Sequence, residues 1–382
     1  MEGSPSNMDI LKKIGKNSIG LKFSQIMKKQ LLTLATVLFA AGALFTSCAN
    51  DPEEPQIQPD GTQISTRAYG DKSPKTMVYV ETNDVNPLNA LCWEMNGEKF
   101  IDILNLFASN IHKDSDGYPT VYLNDKLTRV LEPDPNNPTE TGFHKYVEPL
   151  QEEGIKVCMT SLGDWQGIGV ANLTPEMADR YADILVYCVD RYGLDGINFD
   201  DEYANYSSTI YNSYSHVIKA LRAKLDAKFG TGNKLITVFR WGNYSQIDVT
   251  AGGMIDYADH GTFGPNVFIS SSSMLGVPND RWMPQAIQLG TNYIQYFLNQ
   301  ITTRSSQAAS GNYGGIMMFN LRPSNDINPQ PVFQAIANGA YNSATVSNVC
   351  ETPYTQDWTF IPGGFELTKD DVPAYAPTYT GN

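Results

Sequence analysis

The sequence predicts an α/β protein whose eight parallel strands close into a (β/α)8 (TIM) barrel. From Lys75 onward, eight short apolar runs alternate with longer amphipathic stretches, which is the pattern of repeated βα units. Several runs are apolar throughout rather than at every second residue, as expected for parallel strands that are covered on both faces. The repeats span about 245 residues, which matches the usual size of this fold.

The elements follow one another in a regular order. A helix is expected to begin at Thr174-Pro175-Glu176, where a capping residue, a proline and an early acid stand together. Two more helices are expected over 207–228 and 292–309. An open doubly wound sheet is the alternative, but no glycine-rich phosphate-binding sequence follows the first strand. The candidate strands are Thr76–Glu81, Phe100–Ala108, Ile155–Leu162, Leu194–Asp200, Lys234–Phe239, Met254–Asp259, Met283–Leu289 and Gly315–Asn320.

Composition narrows the classes of partner. The 382 residues are 41% hydrophobic and 18% charged, so disorder throughout the chain is excluded. The formal net charge of -14 argues against nucleic acid as a partner. Five cysteines without a paired CxxC spacing, together with only four histidines, predict neither a metal site nor a cofactor.

The N-terminal region has the pattern of a targeting segment. Lys28 and Lys29 precede an apolar run, Leu31–Phe45, that is too short to span a bilayer comfortably. The run ends in small residues before Cys48, which resembles the lipobox of bacterial lipoproteins. We therefore predict an extension plus lipoprotein signal peptide over 1–47 and a lipid on Cys48. An ordinary secretory signal with a chance cysteine is the alternative.

Residues 48–74 are rich in Pro, Gln and Thr and show no apolar periodicity, so they are predicted to form a flexible tether. Their acidic start resembles the surface-export signals of Bacteroidetes lipoproteins, which implies an outer-membrane lipoprotein at the cell surface. The barrel domain is expected over 75–342. The tail over 343–382 either wraps the barrel or forms a small appendage.

The fourth candidate strand ends in an acidic cluster. Side chains alternate between the two faces of a strand, so Asn198, Asp200 and Glu202 share one face. Ile197 and Phe199 share the other face, where helices pack against a barrel. Three polar side chains facing a barrel interior cost free energy unless they serve a ligand or one another. A solvated acidic loop is the alternative, and the apolar strand before the acids disfavours it.

Asp200 and Glu202 are expected to influence each other's ionisation. Two carboxylates at i and i+2 of a strand lie roughly 6–7 Å apart, which is close enough for coupling. Such coupling favours a protonated Glu202 beside a charged Asp200, the arrangement of a general acid next to an electrostatic stabiliser. Glycoside hydrolysis is the reaction class that most often uses this pairing.

The same segment resembles the signature D-x-x-D-x-D-x-E of glycoside hydrolase family 18. Asp195, Asp200 and Glu202 match its first Asp, its third Asp and its Glu. The block 192–203 resembles the endo-β-N-acetylglucosaminidases of the Endo H type in particular. The resemblance extends from Met77 to about Leu321, with further similar blocks at 154–157, 167–172 and 319–321.

The resemblance implies a substrate-assisted retaining reaction. Glu202 would protonate the leaving glycosidic oxygen and then activate water, while the acetamido oxygen of the substrate attacks its own anomeric carbon. Asp200 would hold the acetamide N–H and stabilise the positive oxazolinium intermediate. The implied substrate is the N-glycan of a glycoprotein, cut at the β-1,4 bond between the two GlcNAc residues of the chitobiose core.

Two positions depart from the family pattern. The second Asp of the signature is Asn198 here, an amide that can hydrogen-bond Asp200 but adds no charge. The sixth strand ends in Asp259-His260-Gly261-Thr262-Phe263, where the family usually offers a tyrosine to the acetamido group.

Further residues are candidates for substrate binding because they follow strands at the same end of the barrel. Loop aromatics could stack on sugars, although packing is an equally good reading of each. Besides Asn198, these candidates are Trp165, Gln166, Tyr203, Trp241, His260 and Asn320. Among the cysteines, Cys158 and Cys188 are expected to be buried thiols, and pairing of Cys92 with Cys350 is left open.

Two classes of function follow. The first is a monomeric, membrane-anchored endo-β-N-acetylglucosaminidase. The second is a non-catalytic glycan-binding lipoprotein on the same barrel, because barrels are reused when their chemistry is lost. The presence of both Asp200 and Glu202 favours the enzyme. A chitinase of the same family shares the motif, and the Endo H-like blocks make it the weaker reading.

Overall fold

The computed structural model describes residues 72–322, 327–356 and 359–382. Eight strands of its main sheet are parallel, and they coincide with the eight runs that the sequence predicts. In chain order they are β1 (Lys75–Glu81), β2 (Ile103–Lys113), β3 (Lys156–Leu162), β4 (Gly196–Asp200), β5 (Leu235–Arg240), β6 (Tyr257–His260), β7 (Ala286–Gln288) and β8 (Gly315–Phe319).

The strands are ordered as a barrel. Their hydrogen-bonded order is β7-β8-β1-β2-β3-β4-β5-β6, so each strand lies beside its neighbours in sequence. Between β6 and β7 the contact is a parallel bridge from Ala258 to Trp282, and the Met283 N–H donates to the Ala258 carbonyl at 2.8 Å. The predicted (β/α)8 architecture is confirmed, and the doubly wound alternative is excluded because its edge strands would not meet.

Three strands differ from their predicted bounds by three residues or more, among them β7, which was expected over 283–289 and is Ala286–Gln288. The second was expected over 100–108, but β2 begins at Ile103 and continues to Lys113, because its end pairs antiparallel with an extra strand, Pro119–Leu123. The sixth was expected from Met254, yet Met254 is the C-cap of a short helix and β6 begins at Tyr257.

Helices cover the outside of the strands. The predicted cap is present, since the Thr174 hydroxyl accepts a hydrogen bond from the Met177 N–H at 3.2 Å. The two other predicted helices begin later than expected, after short 3-10 turns at Tyr206–Ser208 and Asn292–Phe297. The α-helices are α1 (Asp125–Leu131), α2 (Phe143–Tyr146), α3 (Glu148–Glu152), α4 (Pro175–Arg191), α5 (Ser213–Phe229), α6 (Val249–Gly253), α7 (Leu298–Ser310) and α8 (Gln330–Ala340).

Apolar side chains form two separate clusters. The larger lies between strands and helices and includes Ile197 and Phe199, the outward residues of β4. The smaller fills the barrel interior and includes Met77 and Tyr79. Strand alternation therefore gives β4 one apolar face and one polar face, and the polar face points inward.

Residues 343–356 and 359–382 run along the outside of the barrel. Val346–Asn348 pairs antiparallel with Trp93–Met95, and a disulfide joins Cys92 to Cys350 beside it. Farther on, Phe365–Leu367 pairs with the extra strand Pro119–Leu123. Cys158 and Cys188 are buried free thiols, as expected.

The end of the tail is fastened to α4 and α5 by a buried lysine. Lys224, whose side chain is 1% exposed, forms ion pairs of 2.9 Å with Asp179 and Asp183. The Lys224 ammonium also donates to the Tyr375 carbonyl at 2.6 Å. The same two aspartates accept the backbone N–H groups of Tyr375 and Tyr379. One buried cation thus holds two helices and the tail together.

The predicted signal peptide over 1–47, the lipidation site Cys48 and the tether up to residue 71 lie outside the described residues. Within the described ranges, no helix is both long enough and apolar enough to cross a membrane.

Lys224→Met tests the tail attachment. Removing one partner of a buried ion pair leaves uncompensated charge, so we expect the free energy of unfolding to fall by about 3–5 kcal/mol. Urea denaturation measures it. The control is Lys228→Met on the same helix, whose pair with Asp190 is more exposed and should contribute about 0–1 kcal/mol. Equal losses in the two variants would contradict the assignment.

Candidate active site

Asp200 and Glu202 lie at the carboxyl end of β4, on the barrel face where active sites are built. Asp200 is the last residue of the strand and is 3% exposed. The chain turns directly after it, so the Glu202 N–H donates back to Asp200 Oδ1 at 3.1 Å. This turn brings both carboxyl groups into one pocket.

The pocket is a cavity of about 330 Å3 at the end of the barrel interior. Most of its wall is aromatic, and its charged groups are three carboxyls. The lining residues are Tyr79, Glu81, Phe107, Leu162, Asp200, Glu202, Tyr203, Phe239, Phe263, Met317 and Phe319. An apolar pocket with a few convergent acids is typical of a small-molecule site.

The buried position of Asp200 affects its ionisation. Burial raises the pKa of Asp200 well above its ordinary value, and the nearby charge of Glu202 raises it further. The hydrogen bond from the Glu202 N–H opposes this rise. Burial therefore disfavours the charged Asp200 that the sequence predicts, and the charge state of Asp200 stays a prediction.

Asn198 lies beneath the pocket, fully buried, and does not bond Asp200. Its Nδ2 donates to the Tyr79 hydroxyl at 2.9 Å and to Thr237 Oγ1 at 2.8 Å. Its Oδ1 accepts from Thr160 at 3.0 Å. The expected hydrogen bond to Asp200 was wrong, because both amide protons already have acceptors, one on the neighbouring strand β5 and one across the barrel on β1.

Asp201, the residue between the two acids, connects two loops. Its Oδ1 accepts the Ala171 N–H at 3.0 Å from the loop after β3, and its Oδ2 accepts the Asn243 N–H at 2.9 Å from the loop after β5. The carboxyl points away from the pocket and is almost fully buried. Burial raises the pKa of Asp201 to about 7, against the lowering effect of these hydrogen bonds.

The loops joined by Asp201 carry the aromatic rim of the site. Trp165 is 77% exposed, and its ring centroid lies 5.0 Å from that of Tyr203. Both residues have a positive φ, 56° and 62°, a conformation that bulky residues rarely adopt. On the other side, Trp241 stacks on Phe239 at 6.3 Å. The positive φ angles of Trp165 and Tyr203 are backbone strain, which is often found at functional sites, where the surrounding structure enforces it.

Among the predicted substrate-binding residues, Tyr203 alone is in the pocket wall. Asn198, Trp165 and Trp241 are placed as described above, and three more lie outside the wall. His260 is fully buried on the outward face of β6, where Nε2 donates to the Pro284 carbonyl at 2.9 Å and the ring stacks on Trp282. Its predicted contact with substrate was wrong, because Asp259 is the inward residue there. Asn320 accepts from Arg322 Nε at 3.3 Å, and Gln166 is exposed beside Trp165.

Comparison with known proteins identifies the family. The endo-β-N-acetylglucosaminidase F1 of Elizabethkingia meningoseptica is 30% identical over 358 residues, which cover 88% of this chain and 98% of that protein. This chain belongs to the endo-β-N-acetylglucosaminidase family. It is therefore a glycoside hydrolase by family. An endo-β-N-acetylglucosaminidase of Flavobacterium sp. (strain SK1022) is 29% identical over 286 residues, covering 72% of this chain and 83% of the relative.

Solved structures agree on the fold. Bacteroides thetaiotamicron EndoBT-3987, solved with a Man5GlcNAc product, matches with a TM-score of 0.52 at 24% identity. The match covers 75% of this chain and 66% of that chain. No protein-family model matches the chain.

The pocket of this endo-β-N-acetylglucosaminidase family member also contains residues that were not predicted from the sequence. Tyr79 and Glu81 on β1 line the pocket, and Arg322 binds Glu81 at 2.8 Å and Asp84 at 2.6 Å. The same alternation that selected Asn198 and Asp200 would have selected Tyr79 and Glu81 as inward residues. In the described part of the chain, no three histidine, cysteine or carboxylate side chains are grouped to hold a metal ion.

Asp201→Asn tests the buried connection between the loops. The pKa of Asp201 in the folded protein is about 7 and in the unfolded chain about 3.9, so the folded state binds the extra proton. Its contribution to the free energy of unfolding therefore falls as pH rises from about 4 to about 7. The stability of the wild type relative to Asp201→Asn should fall over that window in urea denaturation. Parallel curves would contradict the assignment, and the exposed Asp116→Asn is the control.

Proposed function

We propose that this protein hydrolyses the β-1,4 bond between the two GlcNAc residues of the N-glycan chitobiose core. The observation that carries the proposal is the pair Asp200 and Glu202 in one aromatic-lined pocket of a chain of this family. A solved structure of Bacteroides thetaiotamicron EndoBT-3987 holds a Man9GlcNAc2Asn substrate, which supports the substrate class.

Glu202 is the general acid in this proposal. Its carboxyl lies in the pocket wall, half-buried and open to a ligand. It protonates the glycosidic oxygen as the bond breaks, and the resulting carboxylate then takes a proton from the attacking water. One residue can serve both steps because the attacking water takes the place that the leaving glycosidic oxygen has vacated.

Asp200 serves the acetamido group of the substrate. A hydrogen bond from the acetamide N–H favours the charged form of a carboxyl, so substrate binding opposes the desolvation that disfavours a charged Asp200. The charged form then stabilises the oxazolinium that develops when the acetamide oxygen attacks the anomeric carbon. Because the nucleophile belongs to the substrate, the distance rule for paired enzymic carboxylates does not apply.

The pocket wall offers contacts for sugar rings. Phe239, Phe263 and Phe319 present apolar faces, and Trp165 with Tyr203 extends the aromatic surface beyond the pocket. Glu81, paired with Arg322, presents charged hydrogen-bonding groups for hydroxyls at the opposite side. Aromatic faces with a few polar groups suit a ligand that has both apolar ring faces and hydroxyl edges.

The proposal includes a location. The basic and apolar sequence before Cys48 and the acidic tether after it support a lipoprotein on the outer membrane, with the catalytic domain at the cell surface. The monomeric state stays an expectation. A surface position would bring the pocket to glycoproteins outside the cell.

The reaction is tested on a glycoprotein that carries mixed N-glycans. We expect mass spectrometry to find a single GlcNAc left on asparagine, with the rate lowered by at least about 100-fold in Glu202→Gln. Asp200→Asn should also lose most activity, whereas the exposed Glu351→Gln should not. Glycan binding without cleavage would favour the binding-protein alternative. Cleavage of chitin oligosaccharides alone would favour a chitinase.

A further inference from the structure

A second buried carboxyl, Asp259 on β6, lies in the barrel interior below the pocket. Its Oδ2 accepts a hydrogen bond from the Tyr79 hydroxyl at 3.0 Å. The Tyr79 oxygen in turn accepts from Asn198 Nδ2 at 2.9 Å. The chain Asn198–Tyr79–Asp259 therefore crosses the barrel from β4 through β1 to β6, and all three side chains are buried.

Chemistry fixes the direction of the first hydrogen bond. An amide nitrogen only donates, so the Tyr79 oxygen must accept from Asn198. In this structure the Tyr79 hydroxyl donates its single proton to Asp259 Oδ2, and it has none left for Asp200, although both residues line the pocket. Tyr79 thus leaves Asp200 without a phenolic donor.

Asp259 is poorly compensated where it lies. Among the described residues its Oδ1 has no hydrogen-bond partner, and the side chain is fully buried. Burial raises the pKa of Asp259 well above its ordinary value. The charge of Asp259 is also one of the causes that raise the pKa of Asp200. A charge on Asp200 is therefore harder to form when Asp259 is also charged.

We propose that Asp259 is a positioning residue for Asp200: it holds the Tyr79 hydroxyl away from Asp200 and opposes a negative charge there. Because the reaction requires a charged Asp200 when the oxazolinium forms, Asp259 sets how readily that charge appears. This role in catalysis rests on the proposed function, whereas the coupling between the two carboxyls does not.

Other titratable groups lie near Asp200 and Asp259, and these residues must stay unsubstituted in every variant that tests the pair. Those near the pair are Glu81 and Tyr79 on β1, Asp201, Glu202, Tyr203 and Tyr206 after β4, Tyr214 on α5 and Tyr257 on β6.

A double-mutant cycle in stability tests the coupling without using activity. The free energy of unfolding is measured in urea for the wild type, Asp200→Asn, Asp259→Asn and the double variant at pH 4.5 and 8.5. We expect Asp200→Asn to stabilise the protein more when Asp259 is present than when it is absent, and this difference to be larger at pH 8.5 than at pH 4.5. A coupling that is zero, or equal at both pH values, would overturn the proposal.

The pH–rate profile tests the role in catalysis. In Asp259→Asn, the acidic limb of kcat/KM should move to lower pH by about one unit, the size expected for one nearby charge. Adding Asn198→Asp to this variant returns a carboxyl to the interior and should move the limb back. The exposed Asp116→Asn should leave it in place. An unmoved limb in Asp259→Asn would overturn the catalytic role.

A wild type that cleaves no glycoprotein would reject the proposed function, and the stability cycle would still decide whether the two carboxyls are coupled. An active wild type with no coupling and an unmoved limb would reject only the role of Asp259.

Discussion

Desolvation of Asp200 at the end of β4 is the constraint on which the rest of the site depends. Strand alternation turns its carboxyl into the barrel interior, where the N–H of Glu202 donates a hydrogen bond to it. A carboxyl in this position costs free energy when charged, and a further hydrogen-bond donor from a ligand would lower that cost. The pocket is thus prepared for a donor such as an amide N–H.

Residues outside the pocket stabilise the fold that holds Asp200 in its buried position. Asp201 ties the loops after β3 and β5 through two backbone N–H groups, which positions the rim aromatics on either side of the acids. Far from the site, Lys224 and its two aspartates hold the tail against α4 and α5. In (β/α)8 barrels the active site lies at the carboxyl ends of the strands, and residues that stabilise the fold lie elsewhere. This chain shows the same separation.

The sequence predicted what depends on local pattern. The apolar runs identified all eight strands, and the spacing of Asp200 and Glu202 identified the centre of the site. The sequence-based prediction failed at the end of β6, where Asp259 points inward and His260 points outward. A shift of one residue in a strand exchanges its two faces, so a small error in register changes which side chain enters the barrel. The bond of Asn198 to Tyr79 could not be predicted either, because it joins residues that only barrel closure brings together. The tail strands are three residues each, too short for a periodic signal.

The central claim is that the substrate's own acetamido group, held by Asp200, is the nucleophile, with Glu202 as the acid. The most direct test is proton NMR of the glycan as it is released, recorded before the two anomers interconvert. Two successive displacements at the anomeric carbon retain its configuration, so the account predicts that the β-anomer is the first product. First appearance of the α-anomer would mean a single displacement by water and would contradict the account.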